Sequence, residues 1–222
     1  MSYKEEITEV NEPDFSYSGE YTYADYLKWT IEERVELIKG KIFRMSPAPN
    51  SVHQQLSMEI SGRLWFFLKD QQCQVFSAPF DVRLPVKSKK DKDIITVVQP
   101  DVCVVCDAEK LDDRGCIGAP DIVVEILSPS NNKKELRNKY EVYEESGVKE
   151  YWIVSPQDYT FFIYTLRDGR FVPSRLMGEG DVVHSSVLPG FSLDLSEVFG
   201  SLRRTNNTRF GLETQAQKFL FL

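Results

Sequence analysis

The stretch from Gln99 to Pro156 constrains the fold of this chain more than any other. It reads QPDVCVVCDAEK, then GAPDIVVEILSPS, then the charged run NKKELRNKYEVYEESG, then VKEYWIVSP. Three short runs rich in Val and Ile have the composition of strands. Among them lies a helical pattern whose apolar positions Leu136, Tyr140 and Tyr143 follow the i, i+4, i+7 spacing of one face. Two of the apolar runs carry a lone carboxylate: Asp101 heads the first and Glu125 lies inside the second. An acid inside a run such as IVVEIL costs several kcal/mol of desolvation unless a cation or hydrogen bonds compensate it. The expectation is therefore that Asp101 and Glu125 are metal ligands, with Lys139 beside them.

Two Pro-Asp pairs occur, Pro100-Asp101 and Pro120-Asp121, so the choice of partner for Glu125 needs a geometric reason. Asp121 and Glu125 lie four residues apart on one strand, hence about 13 Å apart at ~3.3 Å per residue. Magnesium holds its oxygens at ~2.1 Å, which that separation does not allow. Opposed residues on neighbouring strands have side chains only ~5 Å apart. Asp101 with Glu125 is the sensible pair, and Asp121 is expected at the strand mouth. On the helix, Lys139 falls on the shoulder of the apolar stripe, where it can bury its stem and project its ammonium along the sheet. Glu135 shares that shoulder, although Asn132-Lys-Lys-Glu135 also fits an N-cap with its partner at N3. Two acids, a metal and a lysine suit phosphodiester hydrolysis. A buried Glu125–Lys139 pair with only a structural role remains the alternative at this point.

The chain has 222 residues, 41% of them hydrophobic and 12% aromatic, enough for one domain with a sizeable core. No apolar run approaches the ~20 residues a membrane span needs, and the N-terminal residues do not form a signal peptide, which together point to the cytoplasm. The net charge of −7 argues mildly against a protein that coats nucleic acid through clustered basic residues, though not against one that acts on nucleic acid through a local cation. Four cysteines fit packing thiols in a reducing compartment. Cys103 and Cys106 form a C-x-x-C, but residues three apart on a strand face opposite ways.

In chain order, residues 1–19 read as an arm. Tyr23, Tyr26 and Leu27 share a helical stripe behind a Thr22 cap, and a hairpin follows with its turn at Lys39-Gly40. Glu36, in its first arm, reads on its own as a solvated strand residue. A long helix is expected from Asn50 or Ser51 to about Lys69, with Leu56, Ile60, Leu64 and Phe67 as its stripe. His53 lies on that stripe and on its own reads as a satisfied core or interface residue. Gln74 to Val86 and Ile94 to Gln99 look like strands around a charged loop, Lys87 to Asp93, which is either a solvated tip or a phosphate contact. A hairpin at Asp168-Gly169 is followed by the segments Asp181 to Val187 and Leu193 to Phe199, which close a single domain over residues 20–200, with a tail at 201–222.

QPDVCVVCD, GAPDIVVEILSPS, Lys139-Tyr140 and GVKEYWIVSP together resemble the Uma family of restriction endonucleases (Uma-two type), within the restriction-endonuclease-like PD-(D/E)XK nuclease superfamily. The likeness extends upstream through VELIKGKIFRMSPAPNSVHQQL and downstream through LPGFSLDLSEVF, over about residues 20–200. It implies an α/β fold: a restriction-endonuclease-like core with a mixed central β-sheet flanked by helices and extra N- and C-terminal strands. It also implies a Mg2+- or Mn2+-dependent endonuclease acting on DNA. Asp101 matches the first acid and Glu125 the second. The strand lysine of the superfamily signature is missing from Glu125-Ile126-Leu127, and Lys139 on the following helix takes its place. Glu36 and His53 match positions at the cleft, and Glu135 stands where the family usually has aspartate. Double-stranded DNA is the expected substrate and a homodimer the expected assembly, since a duplex has two strands to cut. The rival expectation is a non-catalytic nuclease-like module that binds DNA or protein.

Overall fold

The computed structural model describes residues 19–30, 33–45, 50–128 and 133–202, the side chains of 133–135 excepted. The expected N-terminal arm, the Asn132–Glu135 cap with the Glu135 side chain, and nearly all of the C-terminal tail lie outside the described residues.

Short helix α1 (Tyr23–Tyr26) opens the described chain, and Asp25 accepts hydrogen bonds from both the amide and the hydroxyl of Thr22. Strands β1 (Val35–Ile38) and β2 (Lys41–Arg44) form the expected hairpin. Its turn needs two left-handed residues, and Lys39 (φ 49°) and Gly40 (φ 74°) supply them. A side chain at position 40 would also meet Glu20 at 2.6 Å. Helix α2 (Ser51–Leu68) follows, its Asn50 cap accepting from the His53 amide. Then come β3 (Gln74–Ser77), β4 (Val82–Arg83), β5 (Val97–Val98), β6 (Val102–Val105), β7 (Leu111–Asp112), β8 (Gly115–Ile117) and β9 (Ile122–Ile126). Helix α3 (Lys133–Ser146) leads to β10 (Glu150–Ser155), β11 (Thr160–Arg167), β12 (Arg170–Pro173), β13 (Met177–Gly178), β14 (Val182–His184) and β15 (Ser192–Asp194).

The central sheet has the order β12-β11-β10-β9-β6-β3, with β13 beside β11. It is mixed: β9 and β10 run parallel across the α3 crossover, and the other neighbours are antiparallel. A second sheet, β2-β1-β5-β4-β8-β7, carries the N-terminal strands, and β14-β15 form a small ribbon. The fold is thus the α/β architecture expected, with the extra strands at both ends.

The period of two along each strand assigns its faces. Val102, Val104, Ile122, Val124 and Ile126 pack against Leu56, Ile60, Leu64 and Leu68 of α2. Cys103, Val105 and Val123 face Val142 and Tyr143 of α3 and Val82, Leu84 and Val98 of the second sheet. Coverage on both faces explains why β6 and β9 read as continuous apolar runs. Each α2 leucine so buried contributes about 1.5–3 kcal/mol. By the same alternation Glu125 belongs to the α3 face.

One cysteine expectation is corrected. Cys106 pairs with Cys73 in a disulfide, while Cys103 and Cys116 are buried thiols. The antiparallel register of β3 with β6 pairs Gln74 with Val105, so the next residues outward, Cys73 and Cys106, meet across the strands. Cys103 and Cys106 do point apart.

Candidate active site

The acids meet at one end of the central sheet. In the β6–β9 register Val102 pairs with Val124, so Asp101 stands one residue beyond, opposite Glu125. The Asp101 carboxylate accepts the Ile126 amide at 2.7 Å through Oδ2. The same oxygen lies 3.2 Å from His53 Nε2, so α2 delivers His53 to the sheet edge. Burial works against the imidazolium, but the bond and charge of Asp101 outweigh it and raise the His53 pKa.

Across the strand, α3 covers Glu125. Lys139 Nζ donates to Glu125 Oε1 and Oε2 at 3.0 and 3.1 Å, and the Tyr143 hydroxyl donates to Oε1 at 2.7 Å. Glu36 of β1 closes the group from the second sheet, its Oε1 lying 3.1 Å from Lys139 Nζ. Lys139 is 4% exposed and Glu36 2%. The shoulder position on α3 therefore buries the whole lysine stem and sets its ammonium between two carboxylates. Burial opposes the charged lysine, yet Glu125 and Glu36 overcome it and hold its pKa well above the ordinary value. Burial pushes the Glu125 carboxyl up to about 7; Lys139 opposes the shift, and Asp101 and Glu36 add to it.

Five sequence-predicted residues, Asp101, Glu125, Lys139, His53 and Glu36, are thus brought together. Glu36 departs from its solvated reading because α3 lies over β1 and sets Lys139 against it. Asp121 is at the strand mouth, held by the Cys106 amide at 2.7 Å and Lys149 at 2.6 Å. Sequence reasoning missed Tyr143, which served only as an apolar helix position, although its place one turn beyond Lys139 aims it at the same carboxylate. It also missed Gln99, whose amide donates to Glu36 Oε1 at 2.8 Å.

The residues fit a hard cation held by few protein oxygens. Three carboxylates converge on one ammonium and one histidine, and both contacts to Asp101 use Oδ2. No group of three or more His, Cys, Asp or Glu side chains among the described residues has the arrangement of a metal cage. Two opposed acids suit magnesium or manganese, which keep several waters, better than a closed zinc site.

A family model described as "Uma2: Putative restriction endonuclease" matches residues 23–196. The chain belongs to this family. A curated relative, the uncharacterized protein slr1290 of Synechocystis sp., is 24% identical over 147 residues, spanning 65% of this chain and 73% of the relative. Among solved structures, the crystal structure of a putative nuclease belonging to DUF820 from Anabaena variabilis superposes with a TM-score of 0.65 at 21% identity. The match covers 81% of this chain and 98% of the other, and it shows the shared restriction-endonuclease-like fold. Family membership makes nucleic acid the substrate class. No helix among the described residues is long and apolar enough to cross a membrane.

Proposed function

We propose that this Uma2-family chain is a divalent-metal-dependent endonuclease that hydrolyses phosphodiester bonds of DNA. What carries the reading is the register that opposes Asp101 to Glu125 while α3 inserts Lys139 between Glu125 and Glu36. Asp101 and Glu125 hold Mg2+ or Mn2+. The ion, when bound, polarises the phosphoryl oxygen and makes its water more acidic.

The chain's own residues do the rest. The Ile126 amide and His53 both hold Oδ2 of Asp101 and so fix the orientation of the carboxylate beside Glu125. Lys139 stays cationic and stabilises the charge that develops on the phosphoryl oxygens in the transition state. Glu36 and Tyr143 orient Lys139 and Glu125 rather than touch substrate. Duplex DNA as substrate and a homodimer as the working assembly belong to the same proposal, because two strands call for two equivalent sites.

Calorimetric titration with Mn2+ tests the ligand assignment. The wild type is expected to bind the ion, with affinity lost in Asp101→Ala and in Glu125→Ala. Binding that survives both substitutions would move the metal elsewhere.

A further inference from the structure

The acid cluster creates a problem for a polyanionic substrate, because a chain of net charge −7 repels phosphate unless a cation is left free at the rim. Most described arginines are spent on carboxylates: Arg44, Arg63, Arg83 and Arg114 each lie within ion-pair distance of Glu or Asp, and so do Arg137, Arg170 and Arg175. Arg34 differs. Its Nε and Nη2 both donate to the neutral Gln99 side-chain oxygen, at 3.1 and 2.6 Å. Gln99 is held in turn: its Nε2 donates to Asp81 Oδ1 at 2.8 Å and Tyr26 Oη at 3.2 Å, and its amide donates to Glu36.

Arg34 is exposed and immediately precedes β1, two residues before Glu36. Gln99 lies two residues before Asp101. The guanidinium is therefore anchored to the cluster's own framework, and among the described residues no carboxylate lies within ion-pair distance of it. A planar fork fixed in this way is prepared for phosphate oxygens.

We infer that Arg34 takes a backbone phosphate of the nucleic acid flanking the bond to be cut, with Gln99 as its positioning residue. The inference rests on the nuclease reading for its substrate class, yet it is testable without catalysis. Fluorescence anisotropy with a labelled DNA duplex and the matching single strand, in chelator and across a KCl series, reads phosphate contacts directly. For wild-type protein, log affinity falls with log salt. Arg34→Ala and Arg34→Gln are expected to weaken duplex binding about tenfold and to make that slope shallower by about 0.9, the share of one phosphate. Arg34→Lys keeps the slope while losing affinity, because it retains the charge without the fork. The glutamine variant carries the test should the alanine variant not fold.

Neutral variants matching wild type in both affinity and slope would overturn the inference, as would wild-type protein that binds neither DNA. Glu125→Ala separates the two claims, because it removes cleavage and leaves the Arg34 slope in place. Arg34-dependent binding by a wild-type protein that cuts nothing would sustain this inference and sink the nuclease reading.

Discussion

The two Pro-Asp pairs of this chain occupy equivalent places, and only one of them faces a second acid. Asp101 precedes β6 and Asp121 precedes β9, so the antiparallel pairing of these strands puts one aspartate at each end. Each carboxylate accepts an amide of the opposite strand, from Ile126 and from Cys106 respectively. The local geometry is shared; the surroundings diverge. The register sets Glu125 opposite Asp101 and Val105 opposite Asp121. At the first end His53 and Lys139 sit within the protein. At the second, Lys149 reaches in from a side chain that is 62% exposed. The dipeptide itself is a way to start a strand and lock it to its neighbour. The proposed chemistry belongs to the end where the neighbour supplies another carboxylate and a buried cation.

Substitutions at the two ends should separate these roles. Lys139→Ala strands Glu125 and Glu36 and should cost about 3–5 kcal/mol in chelator, measured by urea denaturation. Added Mg2+ should restore part of that loss, because a cation returns to the carboxylates. A loss that Mg2+ does not touch would make the Glu125–Lys139 contact a structural pair only. At the other end, Asp121→Ala should cost about 1–3 kcal/mol by leaving the Cys106 amide without its acceptor. Its cleavage per folded molecule should equal that of the wild type, and a collapse in cleavage would erase the distinction between the two aspartates. Lys149→Ala should change stability least, by less than about 1 kcal/mol, since its ion pair is mostly solvated.

The elements legible in the sequence were those written in local periodicity. The α2 stripe, the Lys39-Gly40 and Asp168-Gly169 turns and the α3 face are each specified by residues within one or two turns of chain. The Asp101–Glu125 opposition was legible because a cross-strand spacing excluded Asp121. The burial of Glu36 was not legible in its local pattern, and only the family resemblance put it at the cleft, because that burial depends on which helix lies over β1 and α3 begins almost a hundred residues later. The Cys73–Cys106 bridge was hidden for a similar reason, since it depends on β3 lying next to β6. Gln99 had no periodic signal, and its role appears only when Arg34, Asp81, Tyr26 and Glu36 are in place around it.

The most direct test of the central claim is a time course of supercoiled plasmid and single-stranded DNA cleavage with Mn2+, comparing wild type, Asp101→Ala and Glu125→Ala from matched preparations. Cutting by the wild type that falls at least about a hundredfold in both variants is the expected result, given the several kcal/mol a catalytic metal contributes. Equal behaviour of all three proteins would contradict the account and leave the acid cluster without a catalytic role on these substrates.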